Sequence, residues 1–466
     1  MYLHKLNISA MKRLDNFELN FVNSDGSPRM WTVLLGENGT AKTTILQAIA
    51  MTAAGRLRVN DLAGWMVPSL LPQRKRDPIL EIRARFGFSE LGQKAKMHPL
   101  AGGSLPEGTE LISRVNLDPS STTLMGFDWY LKPGEVAVDR PPTPKLTPLD
   151  WARARNTAHW FVAGYGVNRH FPYDTGAAPD LFRASVERLR PLFDHRASLT
   201  GIRFVDVFGA GTTRGKSFVK ALNSVLVQTG LLPDDVEGIA LKGRRAQRPA
   251  DLPYRNTFSQ RVGARSVRVP MSGVAHGMQS TLAWVSDLVG HILYEAEEDI
   301  DTNEMEGCVL IDEIDLYLHP TWQVSIVHAL RTTFPKIQFI VTTHSPAMLA
   351  ACESNEIVRL AISGAIGSVE RVAPHPESGL WVSIDEGGKV GLQPDPRILS
   401  GSELYQHYFG LDGVTPRPEG GKLRRYRLLS GDPFRSDTEE AEVVRLGAEL
   451  VAEGFQVPTM QPRDQS

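Results

Sequence analysis

The sequence has 466 residues, of which 42% are hydrophobic and 22% charged, and its formal net charge is −2. This near-neutral balance excludes an overall attraction to nucleic acid, so only a local basic patch could bind it. Two cysteines, Cys308 and Cys352, exclude a disulfide framework and fit a reducing cytoplasm. No run of about 18 apolar residues is present, and the N-terminal segment alternates polar and apolar residues, so we expect neither a membrane span nor a signal peptide.

The first third of the sequence predicts strands interrupted by a glycine-rich turn and a helix. Alternating or short apolar runs predict strands, because successive side chains of a strand point to opposite faces. The helical spacing of Thr43–Ala54 follows the glycine-rich turn. The strands predicted in this part are Tyr2–Ile8, Phe17–Phe21, Trp31–Leu35, Ile79–Phe88, Glu110–Leu117 and Trp160–Gly164.

Farther along the chain, short apolar strands alternate with helices. The predicted strands are Cys308–Ile311, Ile337–Thr342, Val358–Val372 and Leu380–Ile384. The predicted helices are Leu181–Leu192, Gly215–Leu226, Met278–Glu297, Thr321–Thr333 and Ser436–Glu453, the last with a capping box of Ser436 and Glu439 and a stop at Gly454. This alternation predicts an α/β fold with a mostly parallel sheet that helices cover on both faces.

The segment GENGTAKTT has the composition of a phosphate-binding loop between a strand and a helix. In such loops backbone N–H groups and the helix N-terminus bind phosphate oxygens, the lysine reaches the β- and γ-phosphates, and the threonine hydroxyl ligates Mg²⁺. Ala41 replaces the usual glycine before the lysine, which is tolerable if its backbone is helical. A plain glycine turn is the alternative. The residues predicted to contact ATP here are Gly36, Asn38, Gly39, Thr40, Ala41, Lys42, Thr43 and Thr44.

Two later strands end in polar residues. Asp312 and Glu313 follow Cys308–Ile311, and we expect Asp312 to hold Mg²⁺ through water and Glu313 to act as general base on the attacking water. His344 follows Ile337–Thr342 and is interpreted as a γ-phosphate sensor, because the ends of neighbouring strands meet in one crevice. An exposed acidic turn and a structural histidine are the alternatives. The predicted catalytic residues are thus Lys42, Glu313 and His344, and the predicted metal ligands Thr43 and Asp312.

These three elements resemble the ATP-binding-cassette branch of the P-loop ATPases, and more narrowly the AAA-type proteins of the SMC, RecF and OLD group. The stretches that carry the resemblance are GENGTAKTT, CVLIDEIDLYLHP and IVTTHSPAML. His319 stands where cassette ATPases usually carry an aspartate, but His319-Pro320 is common in the narrower group. The resemblance implies a P-loop ATPase fold of cassette type that uses ATP and Mg²⁺.

In that family ATP is held between two heads, so the resemblance implies a site completed by a second copy of the chain. The candidate signature segment is Val274–Ser280, in which Gly277 would offer a backbone N–H to the partner's γ-phosphate. Ala275 stands in place of the usual signature serine, and Ser272 or Ser280 are the candidates for that role. A plain helix N-terminus with a glycine is the other interpretation.

The stretch Gly164-Tyr165-Gly166-x-x-Arg169 resembles a motif of small bacterial ATPases from anti-phage defence operons. Arg169 is interpreted either as facing a phosphate or carboxylate across the dimer or as part of a structural turn. Residues 177–270 lack the heptads of an SMC-type arm, and residues 350–466 lack the Glu and Asp-x-Asp set of OLD nucleases. The resemblance to the ATPases of Septu and PARIS systems therefore implies a nuclease or other effector on a separate chain.

The segment Lys242–Arg268 holds eight basic residues and one acid. Its prolines and Gly263 predict a loop. A solvated surface loop, a nucleic-acid contact and a docking site for an acidic protein are the three interpretations, and few aromatic residues lie nearby to favour single-strand binding.

The order of these features predicts four regions. They are 1–176 with the phosphate loop, 177–300 with the signature helix and the basic loop 242–268, 301–375 completing the ATPase core, and a C-terminal extension at 376–466. The favoured function is a cytoplasmic ATPase switch that dimerises around ATP and controls a separate effector in anti-phage defence. A RecF-like DNA-binding repair ATPase and the nucleotide-binding subunit of a transporter are the alternatives, and the LHP loop argues against the transporter.

Overall fold

The fold is given by a computed structural model. It describes residues 1–71, 79–89, 105–135, 148–149, 160–170, 184–232, 235–241, 256–273, 276–296, 300–362, 368–374, 381–384, 393–409, 422–423, 425–426, 429–430, 435–454 and 457. The chain forms two compact units, residues 1–397 and residues 398–466. None of the helices in the described ranges combines the length and apolar character that a membrane crossing requires.

The strands follow the chain in the order predicted by the apolar runs. Four strands of the described residues are additional, Met125–Leu131, Val236–Leu241, Asn256–Val262 and Arg265–Pro270, and the predicted strand Val358–Val372 is two strands. The full set is β1 (Tyr2–Ser9), β2 (Phe17–Asn20), β3 (Trp31–Gly36), β4 (Leu80–Gly87), β5 (Glu110–Leu117), β6 (Met125–Leu131), β7 (Val162–Tyr165), β8 (Val236–Leu241), β9 (Asn256–Val262), β10 (Arg265–Pro270), β11 (Gly307–Ile311), β12 (Ile337–Thr342), β13 (Ile357–Ile362), β14 (Val369–Pro374) and β15 (Trp381–Ser383), all within the described residues.

Two long helices follow or precede the strands that carry the motifs. The helices of the described residues are α1 (Lys42–Ala63), α2 (Val67–Leu70), α3 (Ala184–Glu187), α4 (Phe204–Phe208), α5 (Thr213–Asn223), α6 (His276–Glu295), α7 (Pro320–Thr333), α8 (Pro346–Leu349), α9 (Gly401–Phe409) and α10 (Asp437–Ala452).

A seven-stranded sheet with the order β15-β14-β13-β3-β12-β11-β7 positions the motifs. The strands from β13 to β7 pair in parallel, and β14 and β15 continue the sheet antiparallel. Every residue of β11 and β12 is buried, as their continuous apolar runs require of central parallel strands. The predicted mostly parallel α/β sheet is therefore confirmed, and the parallel strands direct their carboxyl ends to a common edge.

A five-stranded antiparallel sheet, β2-β1-β4-β5-β6, packs against α1. Burial alternates along β4, because one face of the sheet meets the helix. Ile82 of β4, Leu111 of β5 and Ile49 of α1 share one hydrophobic core. The close approach depends on Gly126, since a Cβ there would lie 2.5 Å from the Cα of Arg56.

The predicted helix over Leu181–Leu192 is wrong in the part that the structure describes. Only Ala184–Glu187 is α-helical, and a 3₁₀ turn at Arg190–Leu192 follows. The Arg188 carbonyl accepts from the Gly164 N–H of β7 instead of from a helical N–H. Pro191 has no N–H to continue a helix.

The predicted loop character of residues 242–268 is also wrong for its second half. Asn256–Val262 and Arg265–Pro270 form a hairpin that pairs with β8 in a three-stranded antiparallel sheet of order β10-β9-β8. Polar residues lie on both faces of these strands, so the alternation of apolar and polar residues that marks a strand is weak. Gly263, with φ +62°, forms the turn of the hairpin. Residues 242–255 lie outside the described residues.

The second unit, taken by itself, contains α9 and α10. Ser436 caps α10 by accepting from the Glu439 N–H, and the Glu439 side chain accepts from the Ser436 N–H, which confirms the predicted capping box. Val443 and Leu450 of α10 form a small apolar cluster with Tyr426.

Candidate active site

The loop between β3 and α1 is closed tightly on itself. Thr40 donates its hydroxyl to the Glu37 carbonyl at 2.8 Å. A Cβ at Gly36 would lie 2.6 Å from the Thr40 Oγ1 atom and 2.7 Å from the Leu360 carbonyl oxygen of the neighbouring strand β13. Only glycine fits at Gly36, so the sequence signal at this position has a steric cause.

Ala41, immediately before the helix, has a left-handed backbone with φ +61° and ψ +19°. The condition under which an alanine there would be tolerable, a helical backbone, is therefore not met. An L-residue in this conformation costs about 1–2 kcal/mol, which explains why glycine is the usual residue before the lysine. The methyl group packs against the main hydrophobic core, so part of this cost is offset by burial.

Lys42 begins α1 and turns its ammonium group back over the loop. The Nζ atom donates to the carbonyl oxygens of Gly36 at 2.8 Å and Glu37 at 2.9 Å. Burial lowers the pKa of Lys42, and the nearby carboxylates of Asp312, Glu313 and Glu37 oppose that shift. The loop thus holds a cation among carbonyls and carboxylates, where a phosphate oxygen can be bound.

A chain of short hydrogen bonds joins the phosphate loop to the two strand ends. The Thr43 hydroxyl donates to Asp312 Oδ2 at 2.7 Å, and the Thr342 hydroxyl donates to Asp312 Oδ1 at 2.7 Å. Thr43 and Asp312 are 269 positions apart in the sequence and come together because β3, β12 and β11 are adjacent. A hydroxyl and a carboxylate oxygen at this separation are the donor types that Mg²⁺ prefers, so these residues fit the ion.

Glu313 follows Asp312 with a left-handed backbone, φ +46°. Its N–H donates to the Thr342 hydroxyl at 2.7 Å, and its carbonyl accepts from Arg169 Nη2 at 2.6 Å. Arg169 is 3% exposed. Burial lowers the pKa of Arg169 to about 10, and the carboxylates of Asp312, Asp315 and Glu313 oppose that shift.

The end of β12 supplies residues that sequence reasoning missed. Thr342 bridges Asp312 and Glu313, and the Thr343 hydroxyl donates to Asp315 Oδ1 at 2.6 Å. Both threonines are fully buried. His344 lies next in the chain and is half-buried, at the same sheet edge as Asp312. The signal for the threonines was present in the quoted stretch IVTTHSPAML, where two hydroxyls close an otherwise apolar strand.

Gly277 and Ser280 lie in the first turns of α6. A Cβ at Gly277 would lie 2.1 Å from the Tyr317 carbonyl oxygen, in the loop that follows Glu313. Ser280 is 6% exposed. Val274 and Ala275 are outside the described residues, and His319 caps α7 by accepting from the Thr321 N–H. The contribution of Gly277 and Ser280 to a nucleotide site stays a prediction.

Part of the basic segment lies on the β9–β10 hairpin. Arg261 pairs with Glu237 of β8 at 2.8 Å, whereas Arg265 and Arg268 are exposed on the edge strand β10. The remaining basic residues, from Lys242 to Arg255, are outside the described residues.

Known proteins match part of this chain and, in one case, nearly its whole length. Residues 181–350 match a family model whose description reads "AAA domain" and names an AbiEii toxin and a type IV TA system. The Septu protein PtuA of Bacillus mycoides (strain KBAB4) is 24% identical over 449 residues, covering 96% of this chain and 50% of the relative. The chain thus spans about half the length of that relative.

Two further matches are a retron protein and a solved structure. The Retron Ec83 probable ATPase of Escherichia coli is 38% identical over 96 residues, or 21% of this chain and 18% of the relative. Among solved structures, an SmcHead bound to the C-winged helix domain of ScpA is 17% identical with a TM-score of 0.45, covering 83% of this chain and 100% of that chain. Residues 181–350 therefore match an AAA domain, and the relatives of the chain include the Septu protein PtuA and the Retron Ec83 probable ATPase.

Proposed function

We propose that the chain binds ATP with Mg²⁺ at the loop Gly36–Thr44 and hydrolyses it to ADP and phosphate. The observation that carries this proposal is the 2.7 Å hydrogen bond between the Thr43 hydroxyl and the Asp312 carboxylate. It joins a phosphate loop to an acidic strand end. Thr43 and Asp312 would hold Mg²⁺, which neutralises phosphate charge when bound.

Each remaining residue of the site has a distinct task in hydrolysis. The N–H groups of the loop and the Lys42 ammonium bind phosphate oxygens and stabilise the charge that develops on them. Glu313 accepts a proton from the attacking water as general base. His344 contacts the γ-phosphate. Phosphoryl transfer needs little covalent help from the protein, so positioning and electrostatics account for the rate.

Two substitutions test this proposal. Glu313→Gln keeps the shape of the side chain but removes the base, so we expect unchanged ATP affinity and turnover lowered by at least about 100-fold. Lys42→Ala removes the phosphate-binding cation, so affinity itself should fall. Isothermal titration of ATP and a phosphate-release assay measure the two effects separately. Wild-type turnover in Glu313→Gln would remove Glu313 as the base.

We further propose that the chain is a cytoplasmic switch in anti-phage defence, in which two heads close around ATP and control a separately encoded effector such as a nuclease. Support comes from the relatives, which are named Septu and retron proteins, and from the GYG-x-x-R stretch at Gly164–Arg169. ATP- and metal-dependent cleavage of DNA by the purified chain alone would contradict a separate effector.

A second candidate, a RecF-like DNA-binding ATPase, is favoured by the exposed Arg265 and Arg268 of β10. Neutralising both residues should then weaken duplex binding strongly and reduce the slope of its salt dependence. Retention of the binding in the doubly neutralised variant would contradict this candidate.

A further inference from the structure

We propose that Arg169 is a positioning residue for ATP hydrolysis, acting on the main chain of Glu313 rather than on a phosphate. Its guanidinium Nη2 donates to the Glu313 carbonyl at 2.6 Å. This inference rests on the proposed function, because it assigns the means by which the proposed general base is held in place.

Glu313 is fixed from both sides of its backbone. Arg169 Nη2 and the Leu316 N–H both donate to the carbonyl, at 2.6 and 3.0 Å, and Thr342 accepts from the N–H at 2.7 Å. The residue between these contacts has φ +46°, in the left-handed region that glutamate rarely adopts. Such a backbone persists only where its surroundings hold it. Among the described residues, the side chains of Arg169 and Thr342 and the backbone N–H of Leu316 contact it, and the backbone direction they impose sets where the Glu313 carboxylate can reach.

Arg169 is itself carried on a rigid segment. Tyr165, the last residue of β7, accepts the Asp312 N–H at its carbonyl at 2.8 Å and donates its hydroxyl to Asp287 of α6 at 3.2 Å. A Cβ at Gly166 would lie 2.4 Å from the Pro191 carbonyl oxygen, so this segment packs directly against neighbouring backbone. These contacts hold Tyr165, at the end of β7, beside Asp312, and so they position the start of the segment that leads to Arg169.

Burial favours the positioning role over a phosphate contact. Arg169 is 3% exposed, and its Nε atom is buried without a hydrogen-bond partner among the described residues. The carboxylates of Asp312, Asp315 and Glu313 act on this cation by raising the pKa of Arg169 against the effect of burial. A guanidinium in this position counters their charge from inside the fold, and its Nη2 atom donates to the main-chain carbonyl of Glu313.

A double-mutant cycle tests the inference on the full chain. Arg169→Met keeps the apolar length and removes every donor, so we expect kcat to fall by about 10- to 100-fold because the base is misplaced, while the Kd for ATP changes less than about twofold. If Arg169 acts through Glu313, adding Arg169→Met to Glu313→Gln lowers the residual single-turnover rate no further. Arg190→Met, at an exposed arginine paired with Glu187, is the matched control and should leave kcat unchanged.

Three outcomes separate the explanations. Effects of Arg169→Met and Glu313→Gln that multiply would overturn the positioning role, and a Kd for ATP weakened by about tenfold or more would assign Arg169 to a phosphate instead. Arg169→Lys covers the case in which the methionine variant unfolds, since it keeps a charged donor and should retain part of the rate. A wild-type chain that binds no ATP would refute the proposed function itself, which the titration reveals before any variant is compared.

Discussion

Ala41 adds strain to the phosphate loop, because its φ of +61° is one that glycine adopts without cost. Relief of the strain is worth about 1–2 kcal/mol. The new glycine opposes this gain, because it raises the entropy of the unfolded chain and so lowers the free energy of unfolding by about 0.4–1 kcal/mol. We therefore expect Ala41→Gly to raise the free energy of unfolding by up to about 1 kcal/mol, measured by urea denaturation without nucleotide.

Gly39 provides the matched control for this prediction. Its φ is +87°, and a Cβ there would meet only Arg13 Nη1 at 3.7 Å, an ordinary contact. Gly39→Ala therefore tests backbone strain without a steric clash and should lower the free energy of unfolding. A loss of stability in Ala41→Gly would show that the partly buried methyl group and the entropy of the unfolded chain together outweigh the strain.

The residues of the site divide by whether a short sequence motif contains them. Lys42, Thr43 and Asp312 were predictable, because each belongs to a short motif whose residue types state their chemistry. Thr342 and Arg169 were not, because their roles depend on the adjacency of β7, β11 and β12, which no local spacing encodes. The functional roles predicted for all of these residues, and for Glu313, His344, Gly277 and Ser280, stay predictions.

Helix α6 connects the ATPase core to the segment that follows Leu199 through one buried carboxylate. Asp287 accepts from the Thr200 N–H at 2.7 Å and the Gly201 N–H at 3.0 Å on one oxygen, and from the Tyr165 hydroxyl at 3.2 Å on the other. One turn later, His291 places its Nε2 atom 3.6 Å from Asp287 Oδ2. This polar cluster makes the helix sensitive to protonation.

Burial lowers the pKa of His291; Asp287 opposes the shift, Arg188 adds to it, and Glu295 and Glu187 oppose it. The unfolded chain, with an ordinary histidine pKa of about 6.5, then binds more protons than the folded chain as the pH falls below that value. Stability is therefore lost with falling pH, by at most about 1.4 kcal/mol per pH unit for this group. His291→Leu should flatten the decline between pH 7 and the folded pKa, as measured by urea midpoints.

His195 serves as the control for that titration, since it is exposed and lies outside the cluster. His195→Leu should leave the pH dependence of the urea midpoint unchanged. An equal decline in wild type and His291→Leu would mean that other groups account for the acid sensitivity.

Elements with a clean apolar run were predictable, and those governed by tertiary contacts were not. β12 matched its predicted bounds because every residue of Ile337–Thr342 is buried. The hairpin Asn256–Pro270 was missed because its outer strand is largely exposed and carries no apolar periodicity. The helix expected before Leu192 does not form, because the Gly164 N–H of β7 donates to the Arg188 carbonyl in place of a helical N–H.

At the scale of the whole molecule, the proposed paired-head arrangement would bring a second copy of the chain to the ATP site. Gly277 cannot be used to test this by substitution, because any Cβ would strike the Tyr317 carbonyl oxygen of the same chain at 2.1 Å. A variant there would disturb the loop after Glu313 as well as any contact with a partner. Dimerisation of the chain is therefore better tested by comparing its mass with and without bound ATP.

We expect Glu313→Gln to accumulate as a dimer with ATP and Mg²⁺, because the bound nucleotide contributes contacts to both heads and its slow hydrolysis prevents them from separating. Sedimentation velocity should show the mass double on addition of ATP and return when ATP is removed. Lys42→Ala, which should not hold the phosphates, is the control and should remain at its nucleotide-free mass. A Glu313→Gln chain that stays monomeric at saturating ATP would contradict the paired-head arrangement and leave the phosphate loop, Asp312 and Glu313 as a site complete in one chain.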